Sequence, residues 1–311
     1  MYPITYQSSL RIAILNIPKT DQNIHKICQN HFALPFPIGH YYSPIPDVKT
    51  VYKKKKRWYR EYDFTGVDFN LNRQKGYLSA LGQYVHELKD IPDFQQAMDS
   101  GIGPGYGEVE AHQLYLMLRY LKPRRMIEIG SGVSTLYSIK ATGKNRLQDG
   151  MNTALTCIEP YPGEKLTAFA VQHGVTLKES DAQDCGMELF STLSDGDVLF
   201  IDSSHVCKID SDVNYLYSDI LPRLCKGVVI HIHDICFPYL TPLDNHHLFH
   251  EFLFWNEPVV VKAFLTYNTA FEIMLCQSWL HFKHSNLLAD AVPAYDPNIH
   301  TPASLWIKKI I

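Results

Sequence analysis

The stretch Arg125-Met-Ile-Glu-Ile-Gly-Ser-Gly-Val-Ser-Thr135 constrains the fold of this chain more than any other. Met126, Ile127 and Ile129 form a short apolar run that carries an acid, Glu128, and breaks at Gly130-Ser131-Gly132. Helical sequence begins at Val133. A buried parallel strand ends in this way when it presents its backbone to a ligand at the carboxyl edge of a sheet. On this reading glycine is needed because a Cβ would keep ligand and main chain apart. Alone, the pattern indicates only a nucleotide-like ligand.

The sequence after it repeats the alternation. Apolar runs at 125–130, 154–160, 175–180, 197–202, 227–234, 271–278 and 304–309 read as strands. Between them, 133–142, 164–173 and 210–224 read as helices, the second closed by Gly174 and the third with Val213, Leu216, Tyr217, Ile220 and Leu224 on one face. A longer helical stretch, 246–267, should break at Pro258. Upstream, Leu114, Met117, Leu118 and Leu121 recur at helical spacing until Pro123, after a glycine-rich loop at 101–107. The expected fold is α/β: a doubly wound, mostly parallel, seven-stranded sheet in a domain spanning 96–311. Residues 1–95 read as a loop-rich N-terminal cap, with Pro35, Pro37, Pro44 and Pro46, a basic run at 53–57, and one amphipathic helix at 77–88. The basic run reads as a solvated helix face.

Composition excludes several classes of function. A net charge of −3 gives no reason to expect nucleic acid, and no apolar run approaches a bilayer span. No secretory signal is evident near the start, since 1–18 alternates polar and apolar residues. The seven cysteines are scattered without a Cys-x-x-Cys pair, and Cys157, Cys225 and Cys276 lie in or beside apolar segments. A cytoplasmic, reduced protein without structural zinc is expected, with a homo-oligomer left open.

In a doubly wound sheet the strand ends must be read together. The first delivers Glu128 and the glycine turn. The second delivers Glu159, placed to accept both hydroxyls of a ribose, and the third Glu179-Ser180-Asp181-Ala182, where a carboxylate could accept from an adenine amino group. The fourth ends in Asp202-Ser203-Ser204-His205 and the fifth in His231-Ile232-His233-Asp234. His231, deeper in its run, reads as structural, and His233 stands at the strand end. Asp202 directly follows Val198-Leu199-Phe200-Ile201, so its charge needs a ligand or cation to meet it.

A nicotinamide site wants a third glycine where this chain has Thr135, and no Walker Lys-Ser/Thr is present. An acid two residues before the first glycine suits a ligand with an ammonium and a sulfonium, as in S-adenosylmethionine. Glu128-Ile-Gly-Ser-Gly132 resembles motif I of class I S-adenosylmethionine-dependent methyltransferases, and Ile158-Glu-Pro160 resembles the acidic end of their second strand. The sequence from Asp197 to Asp234 is similar to a bacterial small-molecule or sugar-type subgroup, with Asp212-Val-Asn-Tyr215, Leu221-Pro-Arg-Leu224 and Gly227-Val-Val-Ile-His-Ile-His-Asp234 between. Phe36-Pro-Ile-Gly-His-Tyr-Tyr-Ser-Pro-Ile-Pro-Asp47, Trp255-Asn-Glu257, Ala263-Phe-Leu265 and Ser304-Leu-Trp-Ile307 extend the likeness. Motif I departs from the pattern in lacking the third glycine. The resemblance implies that Glu128, Gly130, Ser131 and Gly132 line the methionine part of the cofactor. It further implies that Glu159 holds the ribose, that Asp181 and Ala182 flank adenine, and that Asp202 and Ser203 close the site near the methyl group.

Methyl transfer also needs a base for the acceptor's proton, and histidine titrates in the right range. His233 is the expected base, oriented by Asp234 or Asp202, with His205 as the alternative. A second possibility is a divalent ion such as Mg2+ on Asp202, Asp234 and a histidine, disfavoured because magnesium prefers oxygen ligands. A non-catalytic cofactor-binding protein and a metallohydrolase built on His231-Ile-His-Asp234 are the rival classes. The acceptor is expected to be a small organic molecule near Tyr42, Trp58, Tyr106 and Trp255.

Overall fold

The computed structural model describes residues 39–103, 105–242 and 253–311. Cys28, the start of the 36–47 motif and most of the first half of the expected 246–267 helix lie outside them. The described residues divide into two compact units, 39–60 with 253–254 and 61–242 with 255–311. The smaller unit holds two short helices, α1 (Val48–Lys53) and α2 (Lys55–Trp58). Asp47 starts α1 by accepting from the backbone N–H groups of Lys49 and Thr50. Lys53, Lys54, Lys56 and Arg57 are exposed on this pair.

The larger unit begins with α3 (Leu71–Leu81), a 3-10 turn (Gly82–Asp90), α4 (Phe94–Asp99) and α5 (Glu108–Leu121). The 77–88 periodicity therefore straddles a boundary: Asn70 caps α3 through Arg73 N–H, and the helix tightens beyond Leu81. Strands and helices then alternate as β1 (Arg125–Ile129), α6 (Val133–Asp149), β2 (Ala154–Ile158), α7 (Glu164–His173), β3 (Thr176–Lys178), α8 (Gly186–Phe190) and β4 (Val198–Ile201). A continuous helix α9 follows, made of Asp212–Tyr215, a π segment Leu216–Ile220, and Leu221–Arg223. After β5 (Val229–Ile232) come α10 (Glu257–Leu265), β6 (Phe271–Cys276), α11 (Gln277–Ala291) and β7 (Leu305–Lys309).

Two differences from the sequence reading stand out. The described part of the expected 246–267 helix begins only at Glu257, with Pro258 in its first turn, where a missing N–H costs nothing. Helix α11 was not expected; its apolar residues Trp279, Leu280, Phe282, Leu287 and Leu288 do not form one stripe, and a non-helical His284 interrupts it.

The sheet has seven strands in the order β3-β2-β1-β4-β5-β7-β6. All neighbours are parallel except β7, which runs antiparallel between β5 and β6. Successive strand residues feed different cores. Ile127, Ile129, Leu199, Ile201, Ile230 and Ile232 belong to one cluster, and Met126, Val198, Phe200 and Val229 to the other. Burial on both faces explains the near-continuous apolar runs. Arg119 on α5 is buried and ties three elements together, bonding Glu87 of the 3-10 turn at 2.7 Å and Asp149 of α6 at 2.9 Å. Cys157, Cys236 and Cys276 are buried, whereas Cys225 is exposed, contrary to what its apolar neighbours suggested.

Candidate active site at the carboxyl edge of the sheet

Chain order reverses between β1 and β4, and the residues that follow β1, β2, β4 and β5 line the edge around this switch point. The ladder continues one residue past β1, β2, β4 and β5. Gly130 N–H donates to the Ile158 carbonyl at 3.0 Å, Glu159 N–H to Lys178 at 3.0 Å, Asp202 N–H to Ile129 at 2.9 Å, and His233 N–H to Ile201 at 2.9 Å. Gly130, Glu159, Asp202 and His233 thus stand in a row along one edge, because each follows directly on a paired strand.

Gly130 has φ +78°, and a Cβ built on it would overlap the carbonyl oxygen of Asp202. The glycine is required by the protein's own packing at the β1–β4 junction, before any ligand is considered. The loop 101–107 supplies a second close approach: a Cβ on Gly103 would lie 2.5 Å from Cα of Gly132. That loop therefore rests on the glycine turn, a contact nothing in the local pattern announced.

Glu128 is fully buried beneath the start of α6. One carboxylate oxygen accepts from the hydroxyls of Ser134 and Thr135, each at 2.7 Å, and Oε2 is left without a hydrogen-bond partner. Burial raises its pKa to about 7, against the pull of those hydroxyls. Glu159 reaches back to the same turn, accepting from Ser131 N–H at 3.3 Å and from Tyr161 N–H at 3.1 Å. Ala182 is buried at the next strand end and Asp181 beside it is exposed. The hydroxyl oxygen of Ser203 is buried next to Asp202.

The densest feature is a cluster of carboxylates and imidazoles past β4 and β5. Nδ1 of His233 lies 3.3 Å from Asp202 and 3.5 Å from Asp234, without hydrogen-bond geometry to either. Nε2 of His205 lies 3.4 Å from Asp202 and 3.2 Å from Asp234. Asp202, His233 and Asp234 each turn one ligand atom to within 4.8 Å of the other two. His205 and Asp234 both have left-handed backbones, φ +59° and +57°, a strain that non-glycine residues adopt only when surrounding contacts enforce it.

Burial opposes ionisation of Asp202, but the charges of His233 and His205 outweigh it and hold the carboxyl well below its usual range. Burial likewise opposes charge on His233, and Asp202 and Asp234 reverse it, lifting the ring well above its ordinary value. His205 is raised to about 10, its burial outweighed by bonds to Asp202 and Glu257. The two carboxylates thus demand positive charge between them.

His231 has the structural role its position suggested. It is buried, stacks on Phe200 at 4.4 Å and packs against Trp306. Its Nε2 meets the Tyr106 hydroxyl at 3.2 Å. Tyr106, read from sequence as an acceptor-pocket residue, is buried with its ring 4.5 Å from that of His233. Trp255 lies 4.7 Å from the His205 ring. The residue that sequence reasoning gave no role is Glu257, whose carboxylate meets Nδ1 of His205 at 2.8 Å.

Residues 127–235, from β1 to just beyond β5, match a family model described as a methyltransferase domain. That segment holds the glycine turn and the ends of β1, β2, β4 and β5 within the doubly wound sheet described above. An uncharacterized protein of Archaeoglobus fulgidus is 29% identical over 171 residues, 51% of this chain and 74% of the relative. Among solved structures, the chain is similar to the Podospora anserina methyltransferase PaMTH1 bound to S-adenosylhomocysteine (17% identity, TM-score 0.44, 79% of this chain and 98% of that one). It is similar as well to the Streptomyces achromogenes O-methyltransferase TomG in complex with S-adenosylmethionine (13% identity, TM-score 0.41, 79% and 92%).

Proposed function

We propose that this chain is an S-adenosylmethionine-dependent methyltransferase acting on an oxygen, or a nitrogen, of a small organic acceptor, a reading supported by the match of residues 127–235 to a methyltransferase-domain model. The observation that carries the reading is the Asp202–His205–His233–Asp234 cluster standing beside the glycine turn at the switch point of the sheet. The sulfonium, when bound, supplies an electrophilic methyl group for in-line displacement, so catalysis rests on alignment and removal of the acceptor's proton.

The roles follow from position. Glu128 offers a buried carboxylate oxygen without a hydrogen-bond partner toward an ammonium, under the glycine turn that lines the amino acid tail. Glu159 holds the ribose hydroxyls while Ser131 N–H orients its carboxylate. Asp181 and Ala182 flank adenine, and Asp202 with Ser203 closes the methyl end. His233 takes the acceptor's proton, with His205 as the alternative base. Asp202 and Asp234 keep a proton on His233 when nothing else is near. Positive charge placed against Asp202 weakens that hold, so His233 becomes a competent base only in the loaded site.

A second reading has its own observation, the convergence of Asp202, His233 and Asp234 on one point. Two carboxylates and an imidazole suit Mn2+ or a similar borderline cation better than Mg2+. Such an ion would supply Lewis acidity toward an acceptor hydroxyl, and His233 would then be a ligand and not a base.

Calorimetry with S-adenosylhomocysteine tests the first statement: micromolar binding is expected, and silence toward it with a response to NAD would refute it. Manganese titration followed by paramagnetic resonance separates the two readings. A bound ion lost in Asp234→Asn favours the metal, and no bound ion favours the base.

A further inference from the structure

We propose that Glu257 is a positioning residue for this site, fixing the His205 ring so that its far nitrogen holds Asp202 and Asp234 at their working spacing. The proposal rests on the cofactor reading above. Glu257 is fully buried, and its carboxylate is divided between two partners. Oε2 lies 2.8 Å from Nδ1 of His205, and Oε1 accepts from the Tyr217 hydroxyl at 2.8 Å. Tyr217 lies on the π segment of α9, so a turn of helix that is widened relative to an α-helix helps hold this carboxylate.

The main chain supports the same link. The His205 carbonyl accepts from Asn256 N–H at 3.0 Å and from Glu257 N–H at 3.2 Å, at the first turn of α10. Asn256 Oδ1 accepts from Cys207 N–H at 2.6 Å, and Asn256 Nδ2 donates to the Cys207 carbonyl at 3.3 Å. The start of α10 therefore grips the loop after β4 by backbone and side chain at once, and the left-handed His205 is held by that grip. A buried carboxylate with one cationic neighbour is costly to strand, so ring and carboxylate fix each other. Glu257 itself lies behind His205, bonded to the nitrogen opposite the one that faces Asp202 and Asp234.

The consequence is readable without knowing the acceptor. Asp202 is placed at the methyl end, so its carboxylate should favour the cationic sulfonium of S-adenosylmethionine over the neutral thioether of S-adenosylhomocysteine. Glu257→Gln keeps the shape of the side chain but removes the charge opposite Nδ1. Calorimetry on the full chain should give an S-adenosylmethionine to S-adenosylhomocysteine affinity ratio reduced by about three- to tenfold in the variant, with thioether affinity within about twofold of wild type. The effect should vanish against a His205→Gln background, because Glu257 acts through that ring. A merely structural role would weaken both ligands equally.

An unchanged ratio in a folded Glu257→Gln protein, or an additive loss in the double variant, overturns the proposal. Wild-type protein that binds neither compound overturns the cofactor reading and this inference with it. Should Glu257→Gln not fold, histidine-selective nitrogen NMR on the wild type decides. A His205 Nδ1–H proton in a strong hydrogen bond supports the assignment, and a solvent-averaged ring refutes it.

Discussion

Replacing Gly130 with alanine should destabilise the protein far more than a surface glycine would. Gly130 sits at φ +78°, where a Cβ costs about 1 kcal/mol in backbone strain. The same Cβ would overlap the carbonyl oxygen of Asp202, which is anchored because Asp202 N–H donates to Ile129 at 2.9 Å. Overpacking against a held backbone adds about 2 kcal/mol, for a total of about 3 kcal/mol. For a chain of 311 residues the unfolding entropy is about 0.65 kcal/mol/K, so Tm should fall by about 5 °C. Gly143, inside α6, has nothing within 4 Å of a Cβ, and Gly143→Ala should raise Tm by about 1 °C through helix propensity. Differential scanning calorimetry on both variants, with S-adenosylhomocysteine titrated into each, provides the assay. If Gly130→Ala melts with wild type but no longer binds the thioether, the glycine serves the ligand alone, and the argument from the β1–β4 junction is wrong.

Glu159→Gln should weaken S-adenosylhomocysteine binding by about tenfold or more, the worth of charge-assisted bonds to a diol, with Tm moved by less than about 2 °C; calorimetry and melting curves check both. Burial raises Glu128 from 4.5 to about 7. The folded state therefore binds this proton more tightly than the unfolded chain, and that contribution is complete below about pH 4.5 and lost as pH rises through 7. Glu128→Gln should remove a decline in stability worth about 3 kcal/mol between pH 5 and pH 8, seen as a flatter Tm profile; an unaltered slope contradicts the assignment. Among the described cysteines, exposed Cys225 should react first with a thiol reagent. Cys276 and Cys236, pushed by burial to about 11 and about 12, should stay silent until unfolding.

The sequence by itself determined the sheet and the edge on which the site is built. Apolar runs of strand length, broken by Gly130-Ser131-Gly132, by Glu159-Pro160 and by Asp202-Ser203, are local signals, and every predicted strand appears near its expected bounds. Since each chemical residue follows its strand directly, the ladder alone brings Glu159, Asp202 and His233 to one edge. What the sequence left unassigned is non-local. Glu257 meets His205 across 52 residues of chain, and the reason for Gly130 lies just past β4, at a residue that local pattern does not connect to it. Tyr106 reaches His231 across 125 residues, out of a loop with no periodicity to read. Helix α11 was missed because apolar residues spread around its axis give no amphipathic stripe. Local pattern fixes where a strand ends and which residue is offered there. Which side chain arrives to meet it depends on packing between distant elements, and only the folded chain decides that.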